Sequence, residues 1–191
     1  MALRESRMPP LGAAAPSFRL PDPEDRIYGL EDFEEAPALL VAFLCNHCPY
    51  VQHILPGFAA FAREYEPMGL AIIAISANDV MVYPQDGPKE MARVARQHGF
   101  EFPYVYDESQ ETALAYQAVC TPDLFLYDGA RKLAYRGQFD DSRPGSDTPV
   151  TGASLRAAAD AVLAGRAPGA DQRPSIGCSI KWKQDRQPEW A

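Results

Sequence analysis

Along the chain, apolar positions fall into two patterns. Residues 38–44 ("ALLVAFL") and 70–76 ("LAIIAIS") are continuous apolar runs, as expected of strands buried on both faces. Between them Val51, Ile54, Leu55, Phe58, Ala62 and Tyr65 recur at helical spacing and mark one buried stripe. Pro56 predicts a kink two turns into that helix. A second helix is predicted over residues 89–98, started by Pro88 and stopped by Gly99. Residues 17–20 ("SFRL") and the segment "FPYVYD" ending at Asp107 are short strand candidates, the latter followed by a short helix from Ser109 to Tyr116. Residues 123–128 and 132–139 form a predicted hairpin around Asp128-Gly129. A last helix spans residues 154–164, capped by Thr151 and followed by Gly165. This order predicts an α/β domain of three layers, with a central mixed sheet flanked by helices. Residues 1–14 read as a flexible N-terminal segment, 15–165 as the domain, and 166–191 as a tail packing on it.

The start of the first helix bears on chemistry. The stretch "FLCNHCPYV" carries Cys45 and Cys48 directly after the first buried run. With Cys45 as N-cap, Pro49 would occupy the fourth helical position and remove the first intrahelical hydrogen bond. With Cys48 as N-cap, Pro49 takes the first position, where its missing N–H costs nothing. A sulfur at that place faces unpaired backbone N–H groups and the positive end of the helix dipole, which favour thiolate. Cys48 is therefore the candidate nucleophile and Cys45 its candidate partner, with His47, if cationic, lowering the thiol pKa further. A cysteine after an apolar strand is also often a small core residue, and for Cys45 that reading stays open. His53 reads as a packed or solvated histidine beside the apolar stripe, and His98 as a cation at a helix C-terminus.

Composition narrows the classes. At 191 residues and 47% hydrophobic content the chain suits one well-packed domain. A net charge of −8 argues against a nucleic-acid groove or an anionic membrane surface as partner. No run is long enough to span a membrane, and the N-terminus lacks the apolar core of a secretory signal, so a cytoplasmic location is expected. The four cysteines are too few for a disulfide scaffold and in a reducing compartment read as free thiols with chemistry.

A second motif completes the picture. In "AVCTPDLFLYD" the pair Thr121-Pro122 opens a strand, a place where proline can be cis. With "APSFRLPD", "LLVAFLCNHCPYV" and the terminal "GCSIKW", it makes the chain resemble the thioredoxin superfamily, and more closely its peroxiredoxin-like (AhpC/TSA-type) branch, over residues 15–182. The resemblance implies a thioredoxin-like three-layer sandwich and a thiol–disulfide oxidoreductase acting through a Cys45/Cys48 dithiol. In that scheme Cys48 attacks, Cys45 closes the disulfide, and Asn46, His47 and Pro49 shape the loop. Thr121-Pro122 lies beside the sulfurs and offers backbone groups to an extended substrate. The implied partners are a protein or small-molecule disulfide, or a peroxide, and a thiol reductant; no cofactor, metal, nucleic acid or membrane is expected.

Two departures qualify the resemblance. Cys45 stands where peroxiredoxins carry a threonine, and Pro122-Asp123 stands where they carry the arginine that supports peroxide binding. A thiol peroxidase with Cys48 as the peroxide-reactive cysteine is accordingly the alternative, lacking donors that would polarise the O–O bond. A copper or zinc site using Cys45, Cys48 and a histidine is a further alternative, although one CxxC falls short of a structural zinc motif. A redox-sensing module without turnover is another. Cys178 is either a packed tail residue or a resolving thiol, and Cys120 reads as a small core residue. The loop "FDDSRPGSD", with Asp140, Asp141 and Arg143, is a border of the site or a solvated turn.

Overall fold

In the computed structural model, which describes residues 3–190, strand β4 (Ala38–Phe43) lies at the centre of the sheet. It pairs in parallel with β5 (Leu70–Ser76) and antiparallel with β8 (Asp123–Asp128). Beyond these, β6 (Tyr104–Tyr106) adds to β5 and β9 (Leu133–Gly137) to β8, so the mixed sheet runs β6-β5-β4-β8-β9. The continuous apolar run of β4 has a direct cause: both of its faces are covered. Ala38, Leu40 and Ala42 pack towards α1 (Pro49–Tyr65), α2 (Pro88–His98) and α4 (Ala153–Leu163). Leu39, Val41 and Phe43 pack towards α3 (Glu111–Tyr116) and the hairpin of β2 (Arg19–Pro21) and β3 (Ile27–Gly29). Fully buried Phe43, Phe58, Phe61 and Phe125 anchor the two layers; each contributes on the order of 1.5–3 kcal/mol by leaving water. The result is the three-layer α/β sandwich expected of the alternating pattern. Among the described residues no helix is long and apolar enough to cross a membrane.

Helix termini follow local chemistry. Cys48 is the N-cap of α1, with extended backbone (φ −70°, ψ 123°), and Pro49 is the first helical residue. The helix continues through Pro56 to Tyr65 without interruption. Gly99, in the left-handed region at φ 65°, ends α2. Two expectations need correction. Helix α4 is capped not by Thr151 but by Gly152, and the carboxylate of Asp140 accepts the N–H groups of Thr151 and Gly152 at 2.6 Å each. Asp140 is buried and supports the helix start, while Asp141 and residues 144–147 of the same loop are exposed as a solvated turn is. The β8–β9 connection is longer than an Asp-Gly turn: Asp128 Oδ1 accepts the N–H groups of Ala130 and Lys132, and Arg131 takes positive φ.

The segment expected to be flexible at the N-terminus holds a strand. β1 (Leu3–Glu5) pairs antiparallel with β10 (Ile176–Ser179), which pairs antiparallel with β7 (Cys120–Thr121). Ser6 donates its N–H to Ser175 O and its hydroxyl to Asp123 Oδ1 at 2.7 Å. An exposed three-residue strand carries no periodicity, so these long-range bonds alone define it. Gly177 is the tightest point of this small sheet, where a Cβ would lie 2.0 Å from Thr121 O and 3.2 Å from Pro122 Cδ. Replacing Gly177 by Ala should destabilise the fold by about 1–3 kcal/mol. The effect should be read as a lower urea midpoint at unchanged slope. A wild-type midpoint would contradict the close approach of β10 to Thr121.

Candidate active site

The loop from β4 to α1 sets two sulfurs against one residue. Cys45 Sγ lies 3.1 Å from Thr121 Oγ1, and Cys48 Sγ lies 3.1 Å from the Thr121 carbonyl oxygen. The Thr121-Pro122 peptide is cis. Cys45, Cys48, Cys120 and Cys178 are all free and buried. Cys178 stands opposite Thr121 in the β10–β7 register, on the residue whose carbonyl the Cys48 sulfur meets. Cys120 Sγ points to Pro122 O and sits deep in the core, where burial pushes its thiol well above the usual value.

The thiols titrate apart. Cys48 is brought down from the ordinary thiol value to about 5, chiefly because the Cys45 thiol donates a hydrogen bond to its sulfur. Burial opposes that shift, while hydrogen bonds from Cys178 and the Val51 N–H reinforce it. Val51 is the third residue of the helix, so the N-terminal donor lowers the thiol as the placement of Pro49 predicts. Cys45 moves the other way, raised by donating to Cys48, by burial and by the Asp86 carboxylate. Cys178 is pushed up to about 12 by burial first and by its bond to Cys48 second.

His47 has a partner that the sequence reading did not name. Its ring nitrogen Nδ1 bonds Asp86 Oδ2 at 2.5 Å, and the ring stacks on Tyr83 with centroids 4.9 Å apart. Its Nε2 is buried and has no partner among the described residues. Asp86, in a 3-10 turn over Pro84–Asp86, was not singled out by sequence reasoning. Its fully buried carboxylate accepts the N–H groups of Asn46 (2.8 Å) and His47 (3.1 Å) and the Asn78 amide (2.8 Å). Burial alone would raise this carboxyl, but the bonds from His47 and Asn78 outweigh it and hold it below its usual value. Asn46 completes the loop by donating to Gln85 O and accepting from the Tyr104 hydroxyl. The one available signal was position, since Asp86 follows the carboxyl end of a parallel strand where α/β sites form. An Asp between Gln and Gly-Pro otherwise reads as a solvated turn.

Two further expectations are met differently. The edge of Thr121, expected to receive an extended substrate, is paired with the chain's own Cys178. The cation-site alternative named Cys45, Cys48 and a histidine; His53 bonds Ser142 and His98 lies at the end of α2, as their own readings expect. The structure instead gathers Cys45 Sγ, a His47 ring nitrogen and an Asp86 oxygen within 4.8 Å of one another. Both Asp86 oxygens already serve loop donors, so ligation would cost those bonds.

The AhpC/TSA family model matches residues 11–136, and the chain belongs to that family. It is 48% identical to a hypothetical protein from Sinorhizobium meliloti 1021, with a TM-score of 0.93 over 94% of this chain and 98% of that one. It is 49% identical to an uncharacterized conserved protein from Geobacillus kaustophilus, with a TM-score of 0.94 over 96% and 98% of the two chains. The fold is shared at 17% identity with peroxidoxin BcpB from Mycobacterium tuberculosis, TM-score 0.60 over 81% of this chain and 96% of that one. It is shared at the same identity with the thioredoxin domain of a thiol-disulfide oxidoreductase from Bacteroides vulgatus, TM-score 0.58 over 77% and 96%. No curated protein is similar enough to count as a match.

On titration of the reduced protein, thiolate ultraviolet absorbance should show one step near pH 5 that is lost in a Cys48→Ser variant. A first step only near the free-thiol value of about 8.5 would contradict the hydrogen-bonded Cys48 sulfur.

Proposed function

We propose that this chain is a thiol–disulfide oxidoreductase that works through the Cys45/Cys48 pair. The observation that carries the reading is two buried sulfurs on one residue, Cys45 on the Thr121 hydroxyl and Cys48 on its carbonyl, with Cys48 at the helix start and brought down to about 5. A thiolate is the attacking species in disulfide exchange, and a second thiol in contact is the group that resolves the product. The Cys48 thiolate attacks one sulfur of a substrate disulfide, forming a mixed disulfide and expelling the other half as thiolate. Cys45 then attacks the Cys48 sulfur, closes the Cys45–Cys48 disulfide and releases the second half. The substrate gains two electrons and the dithiol loses them, so a thiol reductant must restore it. A reducing compartment such as the cytoplasm supplies that reductant.

Because Cys48 has no exposed surface, substrate access requires part of its cover to move, and β10, paired with Thr121, is one element of that cover. Asn46 and Pro49 act by shaping the loop and the helix start, and Cys178 is the second thiol within reach of Cys48.

Membership in the AhpC/TSA family favours a second reading, a thiol peroxidase with Cys48 attacking the peroxide. Against it, Asp123 follows the cis-proline as a buried carboxyl bonded to Ser6, and supplies no positive charge to a peroxide. The test is reduction of a model disulfide by the wild type and by Cys48→Ser and Cys45→Ser variants. Cys48→Ser should fall to the background of uncatalysed exchange, and Cys45→Ser should accumulate a mixed disulfide on Cys48. Full activity in Cys48→Ser would overturn the reading. Hydrogen peroxide consumption much faster than by free cysteine would favour the peroxidase.

A further inference from the structure

The resolving step has a proton to dispose of. Cys45 must become a thiolate to attack the mixed disulfide on Cys48, yet it is buried beside a carboxylate and its thiol is held well above the usual value. Once Cys48 has entered the mixed disulfide, it no longer accepts the Cys45 hydrogen bond as a thiolate. Two groups within 4.8 Å of Cys45 Sγ could take the proton, a His47 ring nitrogen and an Asp86 oxygen; both Asp86 oxygens already accept bonds from the loop and Asn78, which leaves His47. With Nδ1–H donated to Asp86 Oδ2, the neutral ring keeps a lone pair on Nε2, the buried atom without a partner among the described residues. Asp86 then stabilises the imidazolium that forms, as a buried carboxylate behind a histidine base does.

We propose that His47 is the general base of the resolving step and that Asp86 is its positioning residue. The inference rests on the dithiol reading of this site. As the Cys45–Cys48 bond forms, the Cys45 proton passes to His47, directly or through one water. The substrate half leaves Cys48 as a thiolate and takes up that proton, so charge and electrons balance. The other ionisable groups packed around the pair are Cys48 and Cys178 across the loop, Tyr83 stacked on the ring, and Lys181, whose Nζ lies 5.7 Å from the Tyr83 centroid. Tyr104 faces the loop through its bond to Asn46.

The experiment follows the reduced full chain reacting with a symmetrical aromatic disulfide whose halves absorb on release. Wild type should release one half as Cys48 attacks and the second as Cys45 resolves, with peptide mapping locating a Cys45–Cys48 disulfide. His47→Asn should slow the second phase by about a hundredfold, the lower range of general-base catalysis. Its first phase should stay within about threefold, since the proton in question moves only in the second step. The wild-type second phase should rise less steeply with pH than that of His47→Asn, which is left with hydroxide as its base. Asp86→Asn should slow the same phase; because it can also loosen the loop, His47→Gln serves as the second variant. Equal slowing of both phases, or an unchanged second phase and pH profile in the His47 variants, would overturn the role of His47. A wild-type chain that stops at the mixed disulfide would instead overturn the dithiol reading itself.

Discussion

The site depends on the burial of the Asp86 carboxylate beneath the loop that carries both cysteines. An ionised carboxylate out of water costs several kcal/mol unless donors replace its hydration. Here the replacements are the backbone N–H groups of Asn46 and His47, the His47 ring and the Asn78 amide. Two of the four belong to the backbone between the cysteines, so the same bonds that satisfy the carboxylate hold the loop. Asn78 in turn accepts the Lys181 N–H, which ties the strand end after β5 to the chain leaving β10.

With the loop held, the sulfurs have little freedom. Cys48 is fixed by its place ahead of Pro49, and Cys45 by its contact with Thr121. The β10 strand covers them from the other side, and Gly177 lets it approach because any side chain there would meet the Thr121 carbonyl. The arrangement separates two roles by environment alone. One thiol receives hydrogen bonds and ionises easily, while the other donates, lies beside a carboxylate and holds its proton.

Much of this was legible in the chain. The two continuous apolar runs became the central strands β4 and β5 because both faces of each are covered, and proline chemistry located the start of α1 within one residue. The pairing of "CNHC" with "CTPD" gave the fold family. What the chain did not disclose was long-range and polar. Asp86 lies in a turn far along the sequence from His47, and nothing local distinguishes it from a solvated aspartate. The role of β10 was hidden for a related reason: short strands are defined by their partners, and Thr121 is distant from Cys178 in sequence. The partner of His47 was hidden for the same reason, because Asp86 meets the ring only in the fold.

The central claim is that Cys45 and Cys48 exchange electrons as one pair. The most direct measurement equilibrates the chain in thiol–disulfide buffers of graded potential and maps the disulfides formed by peptide mass. The account predicts a single two-electron transition in which Cys45 and Cys48 are joined while Cys120 and Cys178 remain thiols. A transition that joins Cys48 to Cys178 instead, or no transition across the range of biological poise, would contradict it.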